Sequence, residues 1–287
     1  MTVNEHEKPG YRVHRRPGPR IANAALAVLA ILLVGTMAQI VIGSGRIRWN
    51  VIVDYFFSPT VLGGVGTTLL LTGVSLAGSI VLGTILAAMR ISRNAVLRAI
   101  ASVYVWFFRG TPLLVQVVFW FNLGLFLPQL NLFGVSIPTN SLISPLTAAL
   151  LGLLLNVSAF MCEVIRGGLI AVDHGQTEAA LSIGMTPAKA LMRIVLPQAV
   201  RVIVPAAGNL AIDLLKATSL VYVIGTREIL GATQSIAAQT FYVIEMLIIA
   251  SLWYLVLVTI ASYGQSLLEA RLGRSVARAA TQPMSQG

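Results

Sequence analysis

Six nearly uncharged apolar stretches, at about residues 21–43, 60–89, 111–130, 145–165, 202–224 and 241–264, constrain this chain more than anything else in it. A helix needs about 20 apolar residues to cross the hydrocarbon of a bilayer, and in lipid the backbone has to satisfy its own hydrogen bonds. With 56% of 287 residues apolar and 10% charged, no ordinary soluble domain fits. The expectation is an all-α integral membrane protein with six transmembrane helices. The second stretch would reach about 45 Å as one helix, which puts Gly63, Gly64 and Gly66 in or beyond the outer interface. The first is long enough to span and has no clear cleavage site, so it reads as an uncleaved span.

The formal net charge is +10, and its placement matters more than its size. Lys and Arg cluster between the apolar stretches. With the N-terminus inside, the loops facing the cytoplasm hold sixteen of them and the outer loops only Arg46, Arg48 and Arg227. That bias sets both termini in the cytoplasm and removes any need for a nucleic-acid partner. Residues 1–20 form a basic tail of disordered composition. Cys162 is the only cysteine and the three histidines lie outside the apolar stretches, so no Cys/His metal site is expected. Neither a Gly-Lys-Ser/Thr phosphate loop nor a His-Glu-x-x-His pair occurs. The chain is therefore expected to bind no cofactor and to have no catalytic group of its own.

Ser58-Pro59, Thr111-Pro112, Ser144-Pro145 and Thr186-Pro187 each place a capping hydroxyl before a proline at a first helical position, which predicts four helix starts. The uncharged segment 128–143 reads as a compact outer loop. Residues 175–197, GQTEAALSIGMTPAKALMRIVLP, face the cytoplasm in this topology. Thr177 is expected to cap a short helix from Glu178, Gly184 to break it, Thr186-Pro187 to start a second, and Pro197 to close that one. From pattern alone the segment fits either a docking element for a cytoplasmic partner or an amphipathic loop held on the inner leaflet by Lys189 and Arg193.

Polar groups within spans are costly and mark candidate functional positions. Asn156, Glu163 and Arg166 share one helix face, as do Asn209, Asp213 and Lys216. Asn156, Glu163, Asn209, Asp213 and Lys216 are the candidates to line a pathway. The structural alternative pairs Asp213 with Lys216 and Glu163 with Arg166 along their own helices. The stripe Ser75, Ser79, Gly83 fits helix packing. Trp106, Trp120 and Trp253 fit interface anchors or packing residues, and Glu245 fits a side chain that reaches the outer interface.

The segment 175–197 resembles the cytoplasmic loop of type I ABC-importer permeases: Glu-Ala-Ala, three residues, Gly, about nine residues, then Ile-x-Leu-Pro. Glu178, Ala179, Ala180, Gly184, Ile194, Leu196 and Pro197 all fall in register. The stretches FRGTPLLVQ (108–116), EVIRGGLIAVDHGQTEAA (163–180) and LLKATSL (214–220) are similar to motifs of the polar amino acid uptake permeases. Three positions depart from that pattern: Phe160 for Tyr, Cys162 for Ala, and Ala217 for Asp. Asp213, one turn earlier on the same face, is the carboxylate available to replace the last.

The resemblance implies a permease domain over 59–268, preceded by the tail 1–20 and an extra span with outer linker at 21–58, and followed by a cytoplasmic tail at 269–287. It implies a multi-pass protein of the bacterial inner membrane that carries an amino acid substrate. Two cytoplasmic ABC ATPase subunits holding ATP and Mg would dock on 175–197. A second permease copy or paralogue would complete the pathway, and an extracytoplasmic binding protein would deliver the substrate. The rivals are an ion-coupled secondary amino acid transporter, with Asp213 and Glu163 as ion ligands, and a scaffold without transport. Neither calls for the loop pattern.

Overall fold

The computed structural model describes residues 20–132 and 135–280, apart from 44 and 46. The basic tail, save Arg20, and the last seven residues of 269–287 lie outside the described residues. The chain divides into two compact units, at Trp49. The first holds helix α1 (Arg20–Gly43), the expected first span, as a single helix of 24 residues. The second opens with α2 (Trp49–Phe56) and α3 (Pro59–Ile91), the latter capped by Ser58, whose hydroxyl accepts from the Val61 amide.

The rest follows in chain order: α4 (Ala95–Gly110), α5 (Leu113–Phe121), α6 (Leu123–Phe126), a β1–β2 hairpin (Gln129–Leu132 with Val135–Pro138), α7 (Thr139–Leu142) and α8 (Pro145–Ile170). After α8 come α9 (His174–Ser182), α10 (Pro187–Ala190), a π-helical turn (Leu191–Val195), α11 (Leu196–Ala217), a 3-10 segment (Thr218–Ile224), α12 (Ile229–Thr240) and α13 (Val243–Ala280). Among the described residues, four helical runs are long and apolar enough to cross a membrane: Pro59–Ile91, Pro145–Ile170, Pro187–Ile224 and Val243–Arg271. The α4–α5 pair makes a fifth if its two arms form one span.

The centre is α8, which packs along α3 and also against α5 and α11. Small side chains make the close approach possible. Ser75 and Ser79 are fully buried on α3, and a Cβ added to Gly83 would stand 2.8 Å from the Met161 side chain. The small-residue stripe is thus a packing seam. Leu71, Val117, Leu153, Val157, Leu214 and Val221 form the main core where α3, α5, α8, α11 and the 3-10 segment meet. A second cluster, Leu86, Ala101, Val105, Phe108 and Ala159, holds α4 against α3 and α8.

The expected third span, 111–130, is where sequence and structure differ most. The helix that starts earlier, at Ala95, turns through 101° between Gly110 and Leu113. Thr111 does not cap a helix start: it ends α4, its hydroxyl donating to the Phe107 carbonyl at 2.8 Å. Pro112 cannot donate an N–H, so α4 cannot continue through it. The carbonyls freed at such a break need partners inside the protein. The Phe108 carbonyl accepts from Asn156 Nδ2 at 2.9 Å and from Gln116 Nε2 at 3.0 Å, and Gln116 also donates to the Thr111 carbonyl and hydroxyl. Asn156 and Gln116 are both buried.

The loop 128–143, expected on the outer side, contains the small hairpin, and the segment after residue 224 holds α12, a helix of 12 residues that the sequence reading missed. Glu228 caps it: its buried carboxylate accepts from the Leu230 and Gly231 amides and from the Tyr254 hydroxyl at 2.7 Å. The Ile229 amide donates to the Thr68 hydroxyl. These bonds tie α12 to α3 and α13. Trp253 packs rather than anchors, stacking on Phe56 and donating to its carbonyl. Trp106 is 74% exposed and Trp120 packs against the core. Glu245 is buried, not extended to the interface.

Replacing Asn156 with Leu removes one donor from the broken helix and strands Gln116 Oε1. Hydrogen bonds between membrane helices are individually modest, so the expected cost is about 1–2 kcal/mol, read as a lower unfolding midpoint of the purified protein. An unchanged midpoint would show that the break stands without Asn156.

Candidate functional site

The segment singled out in the sequence folds as a bent pair of helices. Asp173, not Thr177, starts the first: its Oδ1 accepts from the Gly175 amide at 2.7 Å, and Thr177 lies a turn inside α9. The carboxylate wins because it presents a charged acceptor to the first exposed amides. Gly184 ends α9 at φ +83°, with its amide donating to the Leu181 carbonyl and the Met185 amide reaching back to Ala180. This double bond closes the helix with a left-handed residue, which favours glycine there. Thr186 precedes Pro187 in extended backbone and begins α10, without a side-chain cap bond.

Pro197 does not close the second helix. The π turn Leu191–Val195 carries α10 into α11, and Pro197 sits in the first turn of α11. A helix widened there absorbs a proline, because the ring no longer meets a regular i−4 carbonyl. From Pro187 to Ile224 the helix therefore runs unbroken through 38 residues. The loop and the following span are one mechanical piece.

Of the residues selected from the sequence, Glu178 and Ala179 are exposed on α9, and Ala180 is buried where α9 folds back on α10 and the π turn. Ile194 is half-buried, while Leu196 and Pro197 are exposed. Around them stands apolar surface: Ile183 at the elbow is 79% exposed and Met192 is 68% exposed, with Leu181 and Leu191 beside them in sequence. Exposed apolar side chains grouped in this way are a common feature of interaction surfaces.

The polar candidates within the spans fall into separate places. Asn156 is buried at the α4–α5 break. Glu163 sits between Arg166 at 2.8 Å and Arg90 at 3.3 Å, and Arg109 lies over the Phe160 ring. The Arg90 contact was not foreseen, because it crosses from α3 to α8. Asp213 and Lys216 pair at 2.8 Å on α11, yet both stay largely exposed, at 68% and 54% of their side-chain surface. Asn209 is on the same exposed helix, its amide oxygen accepting from Gln265. The structure thus groups Asn209, Asp213 and Lys216 on one open face and places Asn156 and Glu163 elsewhere. Exposed charge on a span calls for another polar surface or a water-filled path beside it.

This fold and loop have relatives. Residues 79–274 match the family described as binding-protein-dependent transport system inner membrane component. The chain is 38% identical over 270 residues to the arginine transport system permease protein ArgU of Corynebacterium glutamicum, covering 93% of this chain and 84% of that protein. It is 39% identical over 220 residues to the probable amino-acid ABC transporter permease protein PatM of Vibrio harveyi, covering 77% and 95%. The crystal structure of an amino acid ABC transporter with histidines superposes with a TM-score of 0.69 at 35% identity, over 79% of this chain and 99% of that one. A buried α3–α8 seam, an elbowed loop continuous with α11 and this matched region together make the chain a member of the binding-protein-dependent transport system inner membrane component family, a multi-pass ABC-importer permease.

Proposed function

We propose that this chain is the membrane subunit of an ATP-driven importer for polar amino acids. Two cytoplasmic ATPase subunits, which hold ATP and Mg, dock on residues 175–197; a second copy or a paralogue completes the pathway; an extracytoplasmic binding protein delivers substrate. The single observation that carries this reading is the elbow at Gly184, which projects α9 beside an exposed apolar surface and is followed from Pro187 by a helix unbroken into α11. An ATPase that moves α9 would move the span carrying Asp213 and Lys216 with it. Coupling of this kind needs stiffness and a defined hinge, not a reactive group. The relatives named for arginine and amino-acid transport support the substrate class. The basic loops support six spans with both termini in the cytoplasm, and the parts 1–20, 21–58, 59–268 and 269–287 as tail, extra span with linker, permease domain and tail.

Substrate passage is assigned to the open face of α11. A carboxylate at Asp213 suits the ammonium or basic side chain of an amino acid, and Lys216 suits its carboxylate. Asn209 adds an amide on the same face, while Asn156 and Glu163 contribute from α8 by holding the broken helix and the arginine pair.

Two tests follow. With the partner ATPase co-expressed, Glu178→Arg and Gly184→Asp should each abolish co-purification; retention by both would count heavily against docking on this loop. Asp213→Asn should lower uptake in reconstituted vesicles by about tenfold, the worth of one charge-assisted contact of roughly 1.4 kcal/mol, with ATPase binding intact. Unchanged uptake would remove Asp213 from the pathway.

A further inference from the structure

The helix that carries Asp213 and Lys216 ends in a pocket that none of the assignments above uses. Its 3-10 segment stops at Gly225, whose φ of +80° turns the chain back toward α12. Tyr222, Thr226, Arg227, Gln234 and Ser235 line a cavity of about 280 Å³ there, close to the lower end of ligand-pocket sizes of about 300 Å³. Part of its wall is held in place. Thr226 is buried and donates to the Pro145 carbonyl, and Glu228 locks the first turn of α12 to Tyr254. Gly231 presses against the Thr226 carbonyl so closely that a Cβ there would collide.

Arg227 is exposed and makes no ion pair among the described residues. No acidic side chain lines the cavity. The guanidinium of Arg227 is the one charged group lining this open cavity among the described residues, and its fork can hold an oxyanion through two parallel hydrogen bonds, which in a free amino acid is the carboxylate. Ser235 spends its proton on the Ala232 carbonyl, leaving its oxygen to accept from an ammonium.

We propose that the pocket of Tyr222, Arg227, Gln234 and Ser235 binds the α-carboxylate of a free amino acid before it meets the Asp213–Lys216 face. The inference rests on the importer reading above and extends it. The two places are about 15 Å apart along one helix, from nine residues at 1.5–2.0 Å each, so they form successive stations and not one site. The first selects for a carboxylate. The second meets the ammonium or side chain.

The test uses the complete transporter, permease with ATPase, in phosphatidylcholine nanodiscs, whose zwitterionic headgroups carry no net negative charge to draw Arg227 away. Binding of radiolabelled L-arginine is measured without the binding protein, with unlabelled arginine or agmatine, its decarboxylated amine, as competitor. Arginine should displace the label and agmatine should fail at tenfold higher concentration. Arg227→Gln should weaken binding at least tenfold, and Arg227→Lys less, since a point charge keeps attraction but loses the fork.

Equal competition by agmatine, or unchanged arginine binding in Arg227→Gln, overturns the pocket. If that variant instead loses only its ATPase response to the loaded binding protein, Arg227 belongs to a protein interface and the proposal also fails. Wild-type uptake of amino acids in parallel vesicles separates the two levels: uptake with unaltered Arg227→Gln binding sinks the pocket alone, and no uptake of any common amino acid sinks the importer reading with it.

Discussion

In hydrocarbon, every backbone N–H and C=O has to find its partner within the protein, and this one requirement explains both the continuity and the break in this structure. The chain stays helical over Pro187–Ile224, passing through a π turn without giving up the axis. Where it must bend, at Gly110 to Leu113, buried amides from Asn156 and Gln116 take over the carbonyls that the helix releases. Where it turns back after Gly225, Glu228 caps α12 and is itself held by Tyr254. The polar side chains inside this domain are largely the servants of its backbone.

That accounting separates structural polar groups from functional ones. Asn156, Gln116 and Glu228 are buried and bonded to backbone, so their energies go into shape. Glu163 balances Arg90 at the end of α3 and Arg166 near the end of α8. Asp213 and Lys216 are different: they pair with each other while most of their surface stays open. An exposed pair of this kind contributes little to stability, which is why the proposed pathway is drawn along it. The elbowed loop has the same character, since Ile183 and Met192 give nothing to the fold by standing exposed.

Much of this was legible in the sequence. The apolar stretches marked the long helices, Ser58 and Ser144 marked two starts with side-chain caps, and Gly184 marked the elbow. What escaped was non-local or register-dependent. The α4–α5 break needs Asn156, 48 residues from the carbonyl it serves, and no local pattern reports such a pairing. Pro197 reads as a stop unless the preceding turn is known to be widened. Asp173 outcompeted Thr177 because its charged carboxylate reaches the Gly175 amide, a choice that propensity alone does not rank. The helix α12 is too short to register as a span, and its cap, Glu228, looks like any loop carboxylate until Tyr254 is placed beside it. The loop's family resemblance was readable because it depends on a contiguous pattern of residue types; the polar face of α11 was readable as a face, but its openness was not.

The central claim is that residues 174–195 stand in the cytoplasm as a stiff docking arm fused to α11. The most direct measurement is labelling of a single cysteine placed at Ala179, in a Cys162→Ser background, with a membrane-impermeant maleimide. The account predicts reaction in inside-out vesicles only, and protection when the purified ATPase subunit is added. Reaction in right-side-out cells, or labelling that the ATPase does not slow, would contradict it.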